Sequence, residues 1–253
     1  GWGVAGIAAG SLIAEIAAAL LGLAIAARAL GAYPGTWTRA RLRDAARLAR
    51  TIAVNRDIMI RTVVLLLSFA WFTAKSAEAG NVTLAVNSIL LQFVTVSAFF
   101  LDGFALAAET LVGKATGARS LERFDMAAKL STLQAGGISL VLTAAIFVFG
   151  GAIIDFLTID AEVRTAARVY LAWAAMLPVL SVWCYQLDGI FIGATRSAEM
   201  RNAALVSSGI FLFLWWLFLP YGNHGLWAAL TGFNLMRAAS LGFYFPRLRR
   251  GLA

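Results

Sequence analysis

Lysine and arginine are concentrated in every second link between the long apolar stretches of this chain. The link 28–56 carries seven arginines, whereas the next link has Lys75 as its only basic residue. About 20 apolar residues suffice to cross a bilayer core as a helix, and loops rich in Lys and Arg stay on the cytoplasmic side. The sequence therefore predicts an all-α protein that crosses the plasma (inner) membrane several times and has its C-terminus in the cytoplasm.

Seven apolar stretches are long enough to be transmembrane helices. They lie at 2–28, 56–77, 84–112, 127–154, 165–193, 203–221 and 224–246. Charged residues make up 13% of the chain, about half of what a soluble domain carries. The net charge of +8 resides largely at helix ends on one side, so we expect the basic residues to contact anionic lipid headgroups. The sequence predicts a bilayer partner and no nucleic acid.

Whole classes of chemistry are excluded by the counts of cysteine and histidine. With one of each, the chain has no intrachain disulfide and no zinc site built from several Cys and His ligands. An intramembrane serine protease needs a paired Ser and His, and the only candidate is Ser207-Ser208-Gly209 with His224, which lacks the usual preceding glycine. We therefore predict that the chain is not an enzyme and holds no cofactor or metal centre.

Polar residues in the third and fifth spans recur at helical spacing. In the third span they share one face of the helix, and they are Asn87, Thr95, Asp102 and Glu109. In the fifth span Asp188 has Tyr185 on a neighbouring face. Ionisable groups in hydrocarbon normally face the protein interior or a wet cavity. Asp102 and Glu109 are seven residues apart, and such a pair can hold a proton or a cation.

Two further pairs lie near the ends of the second span. Asp57 and Arg61 have the i,i+4 spacing of an intrahelical ion pair at its inner end, and Lys75 and Glu78 have i,i+3 spacing at its outer end. All these polar groups can tie helices together, at about 1 kcal/mol per hydrogen bond, or they can line a cavity. We favour ties or gating contacts for the two pairs, and a cavity for the deep aspartates.

Four segments carry the pattern of a known family, and they are NRDIMIRT at 55–62, FLDGFALAAETLVGK at 100–114, LDGIFIG at 187–193 and GVAGIAAG at 3–10. Together they resemble the DinF-like branch of the multidrug and toxic compound extrusion (MATE) family. These resemble the start of that branch's seventh helix, its eighth helix, part of its tenth helix and the start of its sixth helix. Asp188 is similar in position to an acidic residue of Na⁺-coupled relatives, and Gln186 keeps their Gln-x-Asp spacing. Their seventh-helix acid is replaced by apolar residues around Leu65.

The resemblance implies a twelve-helix secondary transporter built from two six-helix lobes. Residues 1–30 would be the last helix of a missing N-terminal lobe, 31–55 a cytoplasmic linker, and 56–253 the six-helix C-terminal lobe. Within the linker, 38–53 has the pattern of a basic amphipathic helix on the membrane surface. An odd number of spans, entered from outside with no signal-peptide layout, also makes us expect a piece of a longer protein.

The expected function is export of cationic or amphipathic drugs and toxic compounds in exchange for H⁺ or Na⁺, by alternating access. Asp188 and Asp102 would bind the coupling ion, with Na⁺ possible at Asp188, or a cationic substrate. Glu109 would lie nearer the inner mouth, and the residues expected to line the cavity are Asn87, Thr95, Gln186 and Tyr185. The alternatives are a flippase of the same superfamily for lipid-linked oligosaccharides, which tends to have a more cationic cavity, and a non-catalytic membrane subunit.

Overall fold

The computed structural model describes residues 3–31 and 44–251, and within these ranges the chain is helical with short connections and no strand. The expectation of an all-α fold is confirmed. A short 3-10 turn, Leu219–Tyr221, precedes the last helix. The helices are α1 (Gly3–Gly31), α2 (Ala45–Glu78), α3 (Asn81–Gly117), α4 (Leu121–Leu157), α5 (Ala161–Gly193), α6 (Ser197–Leu217) and α7 (Gly222–Arg250).

Helices α1 to α6 are long and apolar enough to cross a membrane. Helix α7 has 29 residues, which is also long enough, but Asn223, His224 and Arg237 reduce its apolar character. Large apolar side chains are exposed at the bundle surface, for example Phe99 at 71% and Val148 at 71% exposure. Such a surface suits lipid rather than water, and the prediction of a multi-pass membrane protein is confirmed.

The backbone divides into two compact units between Ala49 and Arg50. The first unit contains α1 and the first turn of α2, and the second contains the rest of α2 and the helices that follow it. Residues 38–43 of the predicted amphipathic linker helix lie outside the described residues. From Ala45 the chain is already in α2, which continues without a break to Glu78. The division of the chain at 30/31 and 55/56 stays a prediction.

Glycines bring α3 and α5 into the most extensive helix contact of the second unit. A Cβ placed on Gly189 would lie 2.2 Å from the carbonyl oxygen of Ala105, and one on Gly193 would lie 2.4 Å from that of Glu109. Small residues permit such close approach of helix backbones in lipid. By contrast, α2 contacts its neighbours mainly through side chains, among them the ring pair Phe72–Trp227.

Asn87 is the centre of a buried hydrogen-bond network at one end of the bundle. Its amide nitrogen donates to Ser76 Oγ at 2.7 Å and to Asn223 Oδ1 at 2.7 Å. Its amide oxygen accepts from Trp227 Nε1 at 2.9 Å and from Asn223 Nδ2 at 2.9 Å. The network joins α2, α3 and α7, so Asn87 ties three helices together.

Replacing Asn87 with alanine should destabilise the protein by about 2–3 kcal/mol, because interhelical hydrogen bonds are lost and the buried indole N–H of Trp227 is left without an acceptor. The free energy of unfolding in mixed detergent micelles measures this effect. Ser88→Ala is the matched control, because Ser88 is exposed on the same turn and bonds only to its own backbone. Equal losses for the two variants would contradict the assigned role.

Candidate functional site

Four helices, α2, α3, α5 and α7, surround a cleft of about 450 Å³ that contains five ionisable side chains besides a tyrosine. These side chains come from different helices, so the bundle gathers them even though they are far apart in the sequence. Apolar residues, including Leu65 and Phe69, form the rest of the wall. The ionisable residues are Arg61, Asp102, Glu109, Asp188 and Arg237, and the tyrosine is Tyr185.

Asp188 is bound by two arginines from other helices. Nη2 of Arg61 and Nη2 of Arg237 both donate to the same carboxylate oxygen, Oδ2. The side chains of Asp188 and Arg237 are 9% and 7% exposed, and that of Arg61 is 17% exposed. Burying these charges is tolerable because each has an opposite charge in contact. The cluster therefore links α2, α5 and α7.

The two carboxylates on α3 differ from Asp188 in having no ion-pair partner in the described ranges. Neither Asp102 nor Glu109 forms a salt bridge with any other residue in the described ranges. Their spacing of seven residues places them on one face of α3, about 10 Å apart along its axis. Both line the cleft. They form an acidic row opposite the arginine-bound Asp188.

The cleft thus holds three carboxylates and two arginines. Because Asp188 neutralises part of the arginine charge, the groups left without an ion-pair partner are acidic. Such a wall attracts a cation or a proton, while Tyr185, Leu65 and Phe69 offer apolar or aromatic surface to an organic ligand. In the part of the chain that the structure covers, no cluster of three or more His, Cys, Asp or Glu residues is arranged to hold a metal ion.

The predicted intrahelical pair of Asp57 and Arg61 is wrong. Asp57 accepts from Nη1 of Arg201, on α6, at 2.6 Å, and it also contacts Arg56 at 3.2 Å, while Arg61 binds Asp188. An i,i+4 pair on a helix surface is worth only about 0.3–0.5 kcal/mol, so buried partners on other helices win. The predicted pair of Lys75 and Glu78 is present at 2.7 Å.

Three residues expected to line the cavity lie elsewhere. Asn87 is in the network described above, and Gln186 lines a separate cleft between α4, α5 and α7. Thr95 is exposed and donates to the carbonyl of Leu91 in its own helix. Sharing a helix face was insufficient, because Asn87 is 15 residues from Asp102, or about 22 Å along the axis. The cleft brings together Asp188, Asp102, Glu109 and Tyr185 as expected.

The role of the two arginines in the cleft was not foreseen. Periodicity in the sequence pairs Arg61 with Asp57 at the inner end of the second span, and it assigns no role to Arg237. The available signal was Arg237 itself, since an arginine within an apolar stretch requires a counter-ion. Asp188 has no basic neighbour within its own span. Asp188 and Arg237 therefore each lack a partner in sequence, and each is the partner of the other.

Comparison with known proteins places the chain in a family. Residues 58–220 match the MatE family model. The chain is 39% identical to the DNA damage-inducible protein F of Escherichia coli over 96% of its own length and 53% of that protein. It is 28% identical to Protein DETOXIFICATION 21 of Arabidopsis thaliana over 60% of its length and 31% of that protein. It therefore spans about half of the first of these curated relatives and less than a third of the second.

Among solved structures, the bent form of the Vibrio cholerae MATE transporter VcmN superposes with a TM-score of 0.80, at 15% sequence identity. The match covers 92% of this chain and 54% of the transporter. At that identity the likeness concerns the fold, and it agrees with the match to the family model. The chain belongs to the MATE family of membrane transporters.

Proposed function

We propose that the chain is the C-terminal lobe of an antiporter that exports cationic or amphipathic compounds in exchange for H⁺ or Na⁺. The missing N-terminal lobe would be its partner, and the cleft between α2, α3, α5 and α7 would face the transport pathway. The protein would lie in the inner membrane with its C-terminus in the cytoplasm. Transport would proceed by alternating access around a site between the two lobes.

The observation that carries this proposal is the acidic row on α3. Asp102 and Glu109 face the cleft, and neither has an ion-pair partner among residues 3–31 and 44–251. A carboxylate at membrane depth is costly unless it serves an ion or a ligand. Asp102 would therefore bind the cationic group of the exported compound or the coupling ion, and Glu109 would hold a cation at the neighbouring position.

Asp188 would take part through its arginines. While Arg61 and Arg237 are bound to it, their positive charge opposes the approach of Na⁺, so a sodium ion at Asp188 would first require an arginine to withdraw. A proton on Asp188 would likewise weaken both contacts. In either case, binding of the coupling ion would loosen the link between α2 and α5, which supplies the coupling between ion binding and movement.

Replacing Asp102 with asparagine should lower export of an organic cation by about tenfold, the effect of losing one charge contact of about 1.4 kcal/mol. The measurement is ethidium efflux by the intact transporter in proteoliposomes, driven separately by a proton gradient and by a sodium gradient. Glu78→Gln is the matched control, because it removes a carboxylate from the exposed pair with Lys75. Unchanged efflux in Asp102→Asn would refute the role of the acidic row.

The flippase alternative gains one observation, which is that two arginines line the cleft. A lipid-linked oligosaccharide carries a diphosphate, and arginine is well suited to bind phosphate. Since both arginines are already bound to Asp188, a cationic substrate remains the better fit. Uptake of a lipid-linked sugar by the same proteoliposomes, with no ethidium efflux, would favour the flippase. Neither activity would be expected of a non-catalytic membrane subunit.

A further inference from the structure

A second cleft, of about 610 Å³, lies between α4, α5 and α7. It is at the end of the bundle where α4 begins and where α5 and α7 end, the end that the pattern of basic loops predicts to be cytoplasmic. The acidic row and Asp188 are not part of its lining. The residues that matter here are Lys129, Leu133, Trp183, Gln186, Phe245 and Arg249.

The mouth of this cleft is basic. Lys129 is exposed and forms no salt bridge within residues 44–251. Arg249 is held by Asp125, whose carboxylate accepts from Nε at 2.9 Å and from Nη2 at 2.7 Å. That contact fixes the orientation of the guanidinium and leaves its Nη1 without a hydrogen bond in the same ranges. The charges of Lys129, Arg249 and Asp125 sum to +1, which is complementary to a phosphate monoanion.

The wall of the cleft is apolar and open. Leu133 is 62% exposed and Trp183 is 56% exposed, and the partly buried Phe245 continues the same surface. An acyl chain fits a surface of this kind, and tryptophan is enriched where apolar chains meet headgroups. Basic pockets between transmembrane helices on the cytoplasmic side are sites for anionic lipid headgroups.

The floor of the cleft carries an unsatisfied polar group. Gln186 has no exposed surface, and neither its amide nitrogen nor its amide oxygen has a hydrogen-bond partner in the structure. A buried amide without a partner costs free energy. The amide therefore calls for a ligand that brings a hydrogen-bond acceptor into a mostly apolar cleft, and a glycerol ester carbonyl satisfies that requirement.

We propose that this cleft binds an anionic phospholipid of the inner leaflet. The phosphate contacts Lys129 and Arg249, the amide of Gln186 donates to an ester carbonyl, and one acyl chain lies along Leu133 and Trp183. The proposal is independent of the transport function, because none of these residues belongs to the transport cleft. Lys114 and Arg123 are basic residues at the same end of the bundle that do not line this cleft.

Native mass spectrometry of the delipidated full-length protein measures the binding, with phosphatidylglycerol compared against phosphatidylcholine of the same acyl chains. We expect the variant K129A/R249A to bind phosphatidylglycerol about tenfold more weakly, because each basic contact near an anionic headgroup contributes to affinity. The control K114A/R123A removes the same charge and should bind as the parent does. Lys129→Ala alone, which breaks no ion pair, should give part of the loss. Glycerol phosphate, which has no acyl chains, should not compete.

A second measurement uses Gln186→Leu. In lipid-free detergent the variant should melt at a higher temperature than the parent, because an unpaired buried amide is removed. Adding phosphatidylglycerol should then raise the melting temperature of the parent more than that of the variant. Equal binding of the two lipids, or equal loss in the two double variants, would overturn the proposal. So would a Gln186→Leu effect that is the same with and without lipid, and competition by glycerol phosphate would indicate a site for the free phosphate group.

Discussion

Replacing Asp188 with asparagine should cost about 3–5 kcal/mol of stability, because removing one member of a buried ion cluster leaves the others uncompensated. Arg61 and Arg237 both donate to Asp188 Oδ2, and the side chain of Arg237 is only 7% exposed. The measurement is the free energy of unfolding in mixed micelles. In the intact transporter the same variant should lose ethidium efflux, since the link that the coupling ion would release is then already broken.

The exposed pair at the opposite end of α2 supplies the control for this prediction. Glu78→Gln makes the same chemical change in a carboxylate that is 64% exposed and bound to Lys75, and surface pairs are worth about 0–1 kcal/mol. The double variant Asp188→Asn with Arg237→Met should recover part of the loss, because it removes a stranded charge along with its partner. Similar losses for Asp188→Asn and Glu78→Gln would show that the cluster is not desolvated.

Replacing Gly189 with alanine should separate α3 from α5. The new Cβ would lie 2.2 Å from the carbonyl oxygen of Ala105, which is backbone and cannot rotate away as a side chain can. Overpacking in a close contact costs about 1–3 kcal/mol and occasionally more, and here we expect a value at or above the top of that range. Unfolding in mixed micelles and the yield of folded protein both report the loss.

Gly137→Ala tests whether any glycine in a long helix behaves in the same way. Nothing lies within 4 Å of a Cβ at Gly137, and alanine is favoured over glycine inside a helix by about 0.5–1 kcal/mol. The control should therefore be neutral or slightly stabilising. If Gly189→Ala were as benign as Gly137→Ala, the close approach of α3 and α5 would be refuted.

Much of the fold could be predicted because hydropathy along the chain decides where the membrane helices lie. Hydropathy places the third span at 84–112 and the last at 224–246, and the helices are Asn81–Gly117 and Gly222–Arg250. The differences lie at the ends, where helices extend beyond the apolar core. Hydropathy begins the second span at residue 56, but α2 runs through position 55/56 unbroken, because a surface helix and a membrane helix share the same backbone hydrogen bonds.

The cleft was predictable only in part. Helical periodicity places Asp102 and Glu109 on one face of α3, and the cost of burying charge marks Asp188 as a special residue. Neither argument states which helix packs opposite, so neither could pair Asp188 with Arg61 and Arg237. The position of Gln186 was unpredictable for the same reason. It lies two residues before Asp188 and is therefore turned by about 200° around the helix, toward the other cleft.

The close contact of α3 with α5 has a mechanical consequence. Because their backbones are in contact at Gly189 and Gly193, we expect the two helices to move as one rigid pair, so that the distance between the acidic row and Asp188 stays constant while the lobe moves. Helix α2 has few close backbone contacts with this pair of helices, and it is held in the bundle by charged and aromatic side chains. A species that displaced Arg61 from Asp188 would therefore remove one of the side-chain contacts that hold α2, and it would leave the contact between α3 and α5 intact.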